Sequence, residues 1–308
     1  MAQESPRTRI AYIVSAHHRP EMAIRLIRRI HAPDHGIFIH YNRRSSDEEY
    51  HQLVDALKDL SGITFLPRQK CRWGDTGLVL ASLEGIRAIA AGGFVYDYAI
   101  LLTGADYPIK SDEQIRAALS AANGHSFLEF GRWPIANWEK GKGIRRIHNY
   151  HFHPPFPDWL RAYGWQPSWQ HITIPARRKL PGSLHPYFGN GFWYLSRACL
   201  KYVLDYTAEH PDYIPFFKHV YIPDECFYQC LLMNSPLAPT IQPRSLTYVD
   251  WSRKPFPAIL NVSDMPRLLQ SDCLFARKFD NKVDAAIMDQ LDRMLDQPKV
   301  TESSRVRP

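Results

Sequence analysis

Two acidic side chains stand next to each other in the stretch IPDECFYQCLL, residues 222–232. Asp224 and Glu225 precede a mostly apolar run, and dry surroundings raise the pKa of a carboxyl group. A carboxylate placed in this way can accept a proton from a substrate hydroxyl. Acidic residues are also ordinary at the start of a helix, where they offset the positive end of the helix dipole. The stretch therefore predicts either a general base or a plain helix N-terminus.

A pair of cations lies in the stretch LFARKFDNKVD, residues 274–284. Arg277 and Lys278 sit between Phe275 and Phe279, in a segment that otherwise has the composition of a buried anchor. A surface helix that needs only solubility would scatter its cations. The whole chain carries a net charge of +7 and has a pI of about 9.1, which suits an anionic ligand such as a nucleotide diphosphate.

Two further stretches combine polar side chains with turn residues. In LLTGADYPIK, residues 101–110, Gly104 and Pro108 fit a tight turn that would present Asp106 at the end of a strand. Asp106 can equally be a turn residue that bonds its own backbone. In CRWGDTG, residues 71–77, the backbone N–H groups before a helix could receive an anion, although a glycine loop alone is a weak signal.

The first 130 positions are predicted to form alternating strands and helices, which would position Asp106 and the glycine loop at 71–77. Strands are predicted at 9–16, 36–42, 63–67, 96–104 and 126–130, and helices at 20–31, 45–60, 75–92 and 111–124. This alternation is typical of a doubly wound α/β fold with a parallel sheet, in which ligands lie at the carboxyl ends of the strands. Residues 15–18, 40–42 and 103–106 are therefore expected at one edge. The chain contains neither a dinucleotide fingerprint nor a P-loop.

The second half of the chain is less regular. Residues 131–188 are rich in Pro, Trp, His and Arg, and a long irregular stretch inside a compact domain is usually functional or poorly ordered. Beyond it the sequence predicts a strand leading into a helix at 191–207, a capped helix at 223–236, a strand at 246–251 and helices around 264–270 and 281–296. The tail at 300–308 is expected to be disordered.

Composition narrows the classes of protein. The chain has 308 residues and is 45% hydrophobic, which suits a large folded core. Eight Trp and sixteen Tyr can line a sugar or base cleft or can pack in that core. No helix-turn-helix, zinc finger or RNA-reading motif appears, so nucleic acid is not expected as a partner. The cluster His148, His151 and His153 has no accompanying carboxylate, so a metal site is not expected there.

Cysteine usage and the absence of apolar spans bear on location. Five cysteines form no C-x-x-C pair, which argues against a disulfide scaffold and for a reducing compartment. The sequence shows no signal peptide and no window as long as a membrane span. A cytoplasmic protein is expected, and peripheral contact with a membrane stays open because of the basic charge.

Taken together, the motifs resemble the Core-2/I-branching glycosyltransferase family, which includes β-1,6-N-acetylglucosaminyltransferases and peptide O-xylosyltransferases. The resemblance extends from about residue 9 to 290 and rests on the order of YIVSAHHRPEMAIRLIRRI, GIFIHYN, RWGDTGLVLASLEGIRAI, YAILLTGADYPIKSDEQI, GNGFWYLSR, IPDECFYQCLL, YVDWS and LFARKFD. It implies an A-type glycosyltransferase fold that works without a metal. The chain lacks the D-x-D motif with which other A-type families hold Mn²⁺, in agreement with that implication.

The resemblance also implies roles for individual residues. Glu225 matches the catalytic base, and Lys278 matches a cation that replaces the metal at the diphosphate. A second cation lies some twenty residues earlier in the family, where Arg253 and Lys254 are both candidates. The remaining implied contacts are, to the donor, Arg277, Ser15, His17, Asn42, Trp73, Gly74 and Asp106, and, to the acceptor, Glu129, Trp138 and Trp251. Many relatives have Asp in place of Asn42, so that contact would lack a charge.

The expected protein is thus an inverting glycosyltransferase. The resemblance implies one catalytic domain over residues 1–300, with a nucleotide-sugar half at about 9–130 and an acceptor and catalytic half at about 131–296. It would move GlcNAc or xylose from a UDP-sugar to a hydroxyl of a glycan or peptide, forming a β-linkage without any cofactor. An inverting glycoside hydrolase and a non-catalytic glycan-binding protein are the alternatives.

Overall fold

A computed structural model describes residues 7–135, 142–152 and 172–296 of the chain. Trp138, His153 and the C-terminal tail predicted to be disordered lie outside these ranges. The strands are β1 (Ile10–Ala16), β2 (Gly36–Tyr41), β3 (Ile63–Phe65), β4 (Tyr98–Thr103), β5 (Tyr107–Pro108), β6 (Ser126–Leu128), β7 (Gly131–Arg132), β8 (Tyr150–Phe152), β9 (Ile172–Ile174), β10 (Tyr187–Phe188), β11 (Trp193–Ser196), β12 (Ile241–Gln242), β13 (Thr247–Val249) and β14 (Phe275–Arg277). The helices are α1 (Pro20–Ile30), α2 (Asp47–Leu57), α3 (Gly77–Ala91), α4 (Asp112–Ala121), α5 (Lys142–His148), α6 (Arg197–Glu209), α7 (Tyr213–Phe217), α8 (Phe227–Met233), α9 (Met265–Gln270) and α10 (Ala286–Leu295).

A seven-stranded sheet forms the centre of the part of the chain that the structure describes, in the order β12-β6-β11-β4-β1-β2-β3. Its strands run parallel except β11, which pairs antiparallel with both β4 and β6. β1 and β2 read as nearly unbroken apolar runs because a parallel sheet is covered on both faces. The predicted, mostly parallel sheet is confirmed, and β11 and β12 from the second half of the chain complete it.

Helices cover both faces of this sheet. Alternate residues of β1 belong to two separate buried clusters, as the period of a strand requires. Leu26 of α1, Leu53 of α2 and Ile287 of α10 lie in the first cluster. Leu83 of α3 and Leu200 of α6 lie in the second. This doubly wound α/β arrangement is the one that the resemblance to A-type glycosyltransferases implies. Among the described residues, no helix is long and apolar enough to cross a membrane.

A small three-stranded sheet stands beside the large one, in the order β13-β14-β5. β14 runs parallel to β13 and antiparallel to β5, with Arg277 opposite Val249 and Ala276 opposite Tyr107. Since β5 follows β4 after a short turn, the FARKFD segment is brought to the carboxyl end of β4. The small sheet therefore joins two motifs that are about 170 positions apart in the sequence.

The helix predicted at 223–236 is wrong at its start. Pro223–Glu225 forms a 3₁₀ turn, and the α-helix α8 begins only at Phe227. The Glu225 carbonyl accepts a hydrogen bond from the backbone N–H of Gly189 at 2.9 Å, so it is turned toward a neighbouring loop. Cys226, with φ of −147°, lies outside helical geometry between the two elements. Glu225 therefore stands on a kinked turn and not on a continuous helix.

The helix predicted at 281–296 also starts later than expected, at Ala286. The backbone N–H groups of Val283 and Asp284 bond to the carbonyl of Asp280, which closes a turn. The Asp284 carboxylate then accepts from the N–H of Ala286 at 2.8 Å. Asp side chains that bond nearby backbone favour turns and helix starts, which explains the delayed beginning.

Candidate active site

The carboxyl ends of three parallel strands meet at one edge of the central sheet. Ser15 of β1 is in register with His40 of β2 and with Thr103 of β4. The sequence predicted that the segments following these strands would share an edge, and the strand register confirms it. Ligands of open α/β sheets bind in the crevice at such an edge.

His40 fixes Ser15 at this edge. The ring nitrogen Nε2 accepts a hydrogen bond from the backbone N–H of Gln69 at 3.0 Å, so the proton of the neutral ring resides on Nδ1. Nδ1 lies 3.3 Å from Ser15 Oγ. Burial is the main cause that lowers the pKa of His40, to about 4, so the ring is neutral at physiological pH. Ser15 therefore accepts a hydrogen bond from a neutral imidazole.

Asn42 ties the end of β2 to the loop that begins at Cys71. Its side-chain Nδ2 donates to the Cys71 carbonyl at 2.8 Å, and its Oδ1 accepts from the backbone N–H of Cys71 at 3.1 Å. The same Oδ1 also accepts from the backbone N–H of Arg44 at 3.0 Å. These bonds give Asn42 a role in holding two loops together. The family resemblance implied only a contact between Asn42 and the nucleotide.

The loop after Cys71 reaches the segment that carries the acidic pair. The indole of Trp73 is 63% exposed and meets the ring of Tyr221 edge-on, with centroids 5.8 Å apart. The carbonyl of Gly74 accepts a hydrogen bond from the backbone N–H of Ile222 at 3.0 Å. Trp73 thus presents a large exposed aromatic face close to the turn of Glu225.

The phenylalanines of FARKFD anchor a segment that leaves one cation in solvent. Phe275 and Phe279 are fully buried, while the side chain of Lys278 is exposed. The backbone around Lys278 is fixed on both sides, because its carbonyl accepts from Leu260 at 2.9 Å and the next N–H donates to Ala105 at 2.9 Å. Within the described ranges, no ion pair joins Lys278 to another residue. The ammonium group is therefore available to a ligand on a rigid backbone.

Arg19 connects this segment to the loop after β1. Its guanidinium forms an ion pair with the nearly buried carboxylate of Asp280, and this contact lowers the pKa of Asp280. The backbone of His18 and Arg19 is left-handed, with φ of 48° and 49°. Non-glycine residues seldom adopt this conformation, and such strain is often found at functional sites. The pair with Asp280 helps to hold it in place.

His17 lies in a positively charged part of this edge. Loss of solvation, then the charges of His18, Lys278, Arg19 and Arg277, lower the pKa of the His17 ring. Positive charge from both the loop after β1 and the FARKFD segment therefore acts at His17, as a site for an anionic ligand requires.

Arg277 is engaged by protein groups. Its Nε lies 3.4 Å from the carboxylate of Asp106, and its guanidinium stacks on Phe192 at 4.1 Å from the ring centroid. Asp106 is fully buried and also accepts hydrogen bonds from the backbone and hydroxyl of Thr103, at 2.7 and 2.9 Å. The pKa of Asp106 is nonetheless raised by burial. Asp106 therefore bonds the turn that contains it and also lies just after the end of β4, as both sequence-based interpretations expected.

Glu225 is held by three neighbouring segments. Its side chain is 34% exposed, and its Oε2 lies 2.5 Å from Nη1 of Arg146 on α5. Its backbone carbonyl bonds to Gly189, and its backbone N–H donates to the Ile222 carbonyl at 3.2 Å. A carboxylate that is both fixed and open to solvent has the geometry that a general base needs.

Asp224 has a different environment from its neighbour. Burial and then the negative charge of Glu225 raise the pKa of Asp224 to about 7. Its Oδ1 is buried and has no hydrogen-bond partner among the described residues. A Cβ placed on Gly191 would lie only 2.9 Å from Oδ2 of Asp224, so the glycine lets the backbone approach this carboxyl group. The raised pKa that the apolar surroundings predicted for the acidic pair thus belongs to Asp224.

The pH dependence of stability tests this assignment for Asp224. The folded carboxyl group titrates near 7 and the unfolded one near 3.8, so between these values the folded protein holds a proton that the unfolded chain releases. The contribution is therefore present at low pH and is lost as the pH rises through 7. Asp224→Asn, which cannot titrate, should gain stability relative to the wild type by roughly 3 to 4 kcal/mol between pH 4 and pH 7.5.

Urea unfolding at several pH values measures this difference. Asp205→Asn is the matched control, because Asp205 is an exposed partner of Lys201 on α6. The control should follow the wild-type curve at every pH. If Asp224→Asn also runs parallel to the wild type, the carboxyl group of Asp224 titrates normally in the folded protein.

The two candidates for the second cation differ in their contacts. Arg253 forms ion pairs with the buried carboxylates of Asp264 and, at 3.4 Å, Asp250. Lys254 is exposed, and within the described ranges no ion pair joins it to another residue. Trp251, in the same loop, is 62% exposed. The structure therefore leaves Lys254 and Trp251 accessible and gives Arg253 two protein partners.

Glu129 is linked to the loop that holds Glu225. Its Oε2 accepts a hydrogen bond from Nδ2 of Asn190 at 2.7 Å, and the carboxylate is otherwise exposed. A Cβ on Gly189 would lie 1.8 Å from the Glu129 carbonyl, so only glycine fits where the two backbones cross. Glu129 thus lies beside the loop that contains Gly189 and Asn190, while Trp138, the other expected acceptor contact, is outside the described residues.

The loop 189–192 joins the two halves of the candidate site. Gly189 bonds to the carbonyl of Glu225, Gly191 contacts Asp224, and Phe192 stacks on Arg277 next to Lys278. The predicted base and the predicted diphosphate cation are therefore neighbours of one short loop.

Sequence reasoning missed several residues of this site. Arg146 lies in the irregular stretch and has no motif around it, and Arg19 and Asp280 are more than 250 positions apart. The GNGF letters of residues 189–192 did contain a usable signal, since two glycines around one residue indicate close backbone approach. His151, in the histidine cluster where no metal site was expected, bonds Thr173 and the carbonyl of Arg145. Over the residues the structure describes, no group of three His, Cys, Asp or Glu side chains could hold a metal ion.

The chain is similar in sequence to a family of known enzymes. The sequence profile of the Core-2/I-branching enzymes matches residues 10–267. Xylosyltransferase 2 from Rattus norvegicus and xylosyltransferase 1 from Homo sapiens are each 25% identical over 93% of this chain. The chain spans 34% and 30% of the length of these two relatives, about a third. A solved 4-diphosphocytidyl-2C-methyl-D-erythritol synthase from Anaerococcus prevotii is 12% identical, covers 65% of this chain and 76% of its own, and has a TM-score of 0.33, too low to support an argument.

Proposed function

This chain belongs to the Core-2/I-branching enzyme family, and we propose that it is an inverting, metal-independent glycosyltransferase that uses a UDP-sugar. The observation that carries the proposal is the shared loop 189–192, which contacts the turn of Glu225 at one end and Arg277, next to Lys278, at the other. A base for the acceptor and a cation for the leaving group are the two parts that such a transfer needs.

In the proposed reaction, Glu225 removes the proton from an acceptor hydroxyl. The resulting oxygen attacks the anomeric carbon from the face opposite UDP, so an α-linked donor gives a β-linked product. The bond to the diphosphate breaks as the new bond forms, and negative charge moves onto the phosphate oxygens. Lys278 stabilises that charge, and the loss of one such group typically lowers a rate by about 10²–10³-fold.

We assign the second cation to Lys254. Arg253 already carries two carboxylate partners, which offset its charge, whereas the ammonium group of Lys254 is exposed. Ser15 and His17, at and just after the carboxyl end of β1, are the proposed contacts to the nucleotide, and Trp73 offers an exposed aromatic face near the base.

The donor is proposed to be UDP-xylose or UDP-GlcNAc. The relatives named above are xylosyltransferases, so UDP-xylose is the first donor to test. The acceptor is a hydroxyl of a glycan or peptide. Glu129 and Trp251, both exposed near the site, are the proposed acceptor contacts.

Release of UDP from a panel of UDP-sugars, in the presence of excess EDTA, tests the proposal. UDP should appear only when a glycan or peptide acceptor is also present. An inverting hydrolase would release the sugar to water without any acceptor, and a non-catalytic binding protein would release no UDP. Complete loss of activity in EDTA with recovery on Mn²⁺ would overturn the metal-independent mechanism.

A further inference from the structure

The helix α5 brings a cation to the proposed base from a part of the chain that no motif marks. It is fixed at its C-terminal end by three hydrogen bonds to its backbone carbonyls. The donors are the His151 ring to Arg145 at 3.2 Å, the Tyr221 N–H to Arg146 at 3.4 Å and the Arg178 N–H to His148 at 3.0 Å. The position of Arg146 is therefore set by its neighbours and does not depend on the contact with Glu225.

The contact between Arg146 and Glu225 is short and partly shielded from water. Nη1 lies 2.5 Å from Oε2, and the two side chains are 23% and 34% exposed. Charge-assisted hydrogen bonds of this length are about twice as strong as neutral ones, and a guanidinium group stays charged at any pH relevant to a protein. One carboxylate oxygen of Glu225 is thus occupied, and Oε1 is the oxygen left to meet a substrate.

We propose that Arg146 is a positioning residue for the transfer reaction: its guanidinium group holds one oxygen of the Glu225 carboxylate and leaves the other oxygen to meet the acceptor hydroxyl. The inference rests on the proposed role of Glu225 as the base. It adds a residue from the irregular stretch to the reaction, acting through Glu225 and not on the donor.

The surroundings of Glu225 explain why such a partner is needed. Glu225 acts electrostatically on Asp224, Tyr221 and Cys226, and its carboxylate forms an ion pair with Arg146. A partly exposed glutamate side chain without a fixed partner would sample several rotamers. The ion pair selects one of them.

The proton transfers of the reaction use the oxygen that Arg146 leaves open. The acceptor hydroxyl gives its proton to Glu225 as the oxygen bonds to the sugar and the diphosphate departs. Glu225 must then release that proton to water before the next turnover. Because Arg146 occupies Oε2, both transfers take place at Oε1.

The steady-state constants test the inference, with Arg146→Met as the variant and Arg145→Met as the matched control. Arg145 is the exposed neighbour on the same helix. In Arg146→Met, kcat should fall by about 10- to 100-fold, because a displaced base slows the chemical step, and Arg146→Lys should recover part of the loss. The affinity for UDP should be unchanged in all three variants. A wild-type kcat in Arg146→Met would overturn the inference.

The NMR signal of the Glu225 carboxyl group separates this inference from the proposed function. In protein with ¹³C-labelled glutamate carboxyl groups, the Glu225 signal is the one that disappears in Glu225→Gln. Its chemical shift at one fixed pH should change in Arg146→Met, which loses the hydrogen bond to Oε2, and stay in place in Arg145→Met, whether or not any donor is turned over. Equal chemical shifts in the two variants would refute the role of Arg146 even if transfer is observed.

Discussion

Glu225→Gln is expected to abolish detectable transfer while leaving the affinity for UDP nearly unchanged. A general base typically contributes about 10²–10⁴-fold to a rate, and glutamine cannot take the acceptor proton. The nucleotide affinity should persist because Glu225 acts on the acceptor and its carbonyl bond to Gly189 does not involve the side chain. Transfer rates and calorimetric titration with UDP, measured on the same preparation, are the two readouts.

The control for this prediction is Glu209→Gln. Glu209 is an exposed carboxylate at the end of α6, and the same change there should leave both readouts at wild-type values. A Glu225→Gln protein that keeps substantial transfer would remove Glu225 from the role of base. A protein that loses UDP affinity as well would place Glu225 in the donor site.

Lys278→Ala is expected to weaken UDP binding by about 10- to 100-fold, as the loss of a charged hydrogen-bond partner costs about 1.5–3 kcal/mol. Uridine binding should change little, because uridine has no phosphate oxygens to contact. The fold should tolerate the change, since the side chain is exposed and the segment is anchored by the buried rings of Phe275 and Phe279. Calorimetric titration with both ligands gives the ratio of affinities.

Lys282→Ala is the matched control for Lys278→Ala. Lys282 is an exposed lysine four residues further along the chain, with the same charge and a similar setting. Its removal should leave the preference of the protein for UDP over uridine intact. Equal losses of UDP and uridine affinity in Lys278→Ala would show that the residue has a structural role only.

The edge of the sheet could be predicted from the sequence because it depends on local patterns. The apolar runs of β1, β2 and β4 fix the strands, and a parallel sheet brings their carboxyl ends together. Ser15, His40 and Thr103 are therefore in register as expected. The same reasoning placed Asp106 correctly at the end of β4.

The contacts that complete the site could not be predicted in this way. The pairs Arg146–Glu225 and Arg19–Asp280 join segments that are 79 and about 260 positions apart, and surface cations are common enough that no pattern selects these two. The break between the turn at 223–225 and α8 was also hidden, because it depends on a hydrogen bond from Gly189. Local helix signals cannot report a bond to a distant loop.

The acidic pair shows how structure refines a sequence-based hypothesis. Apolar neighbours predicted a raised carboxyl pKa somewhere in this stretch, but adjacent residues have nearly the same local sequence. The fold separates them, because the carboxylate of Glu225 meets Arg146 whereas that of Asp224 is turned toward Gly191 and has a raised pKa. Only the three-dimensional arrangement assigns the two carboxyl groups to different environments.

The configuration of the product formed in excess EDTA is the measurement that bears on every part of the proposed mechanism. An α-linked UDP-sugar and an acceptor should give a β-linked product, seen by NMR of the anomeric proton, together with one UDP per sugar transferred. A product with the α-linkage, free sugar in place of a glycoside, or a strict requirement for a divalent metal would contradict direct displacement with Glu225 as base and Lys278 at the diphosphate.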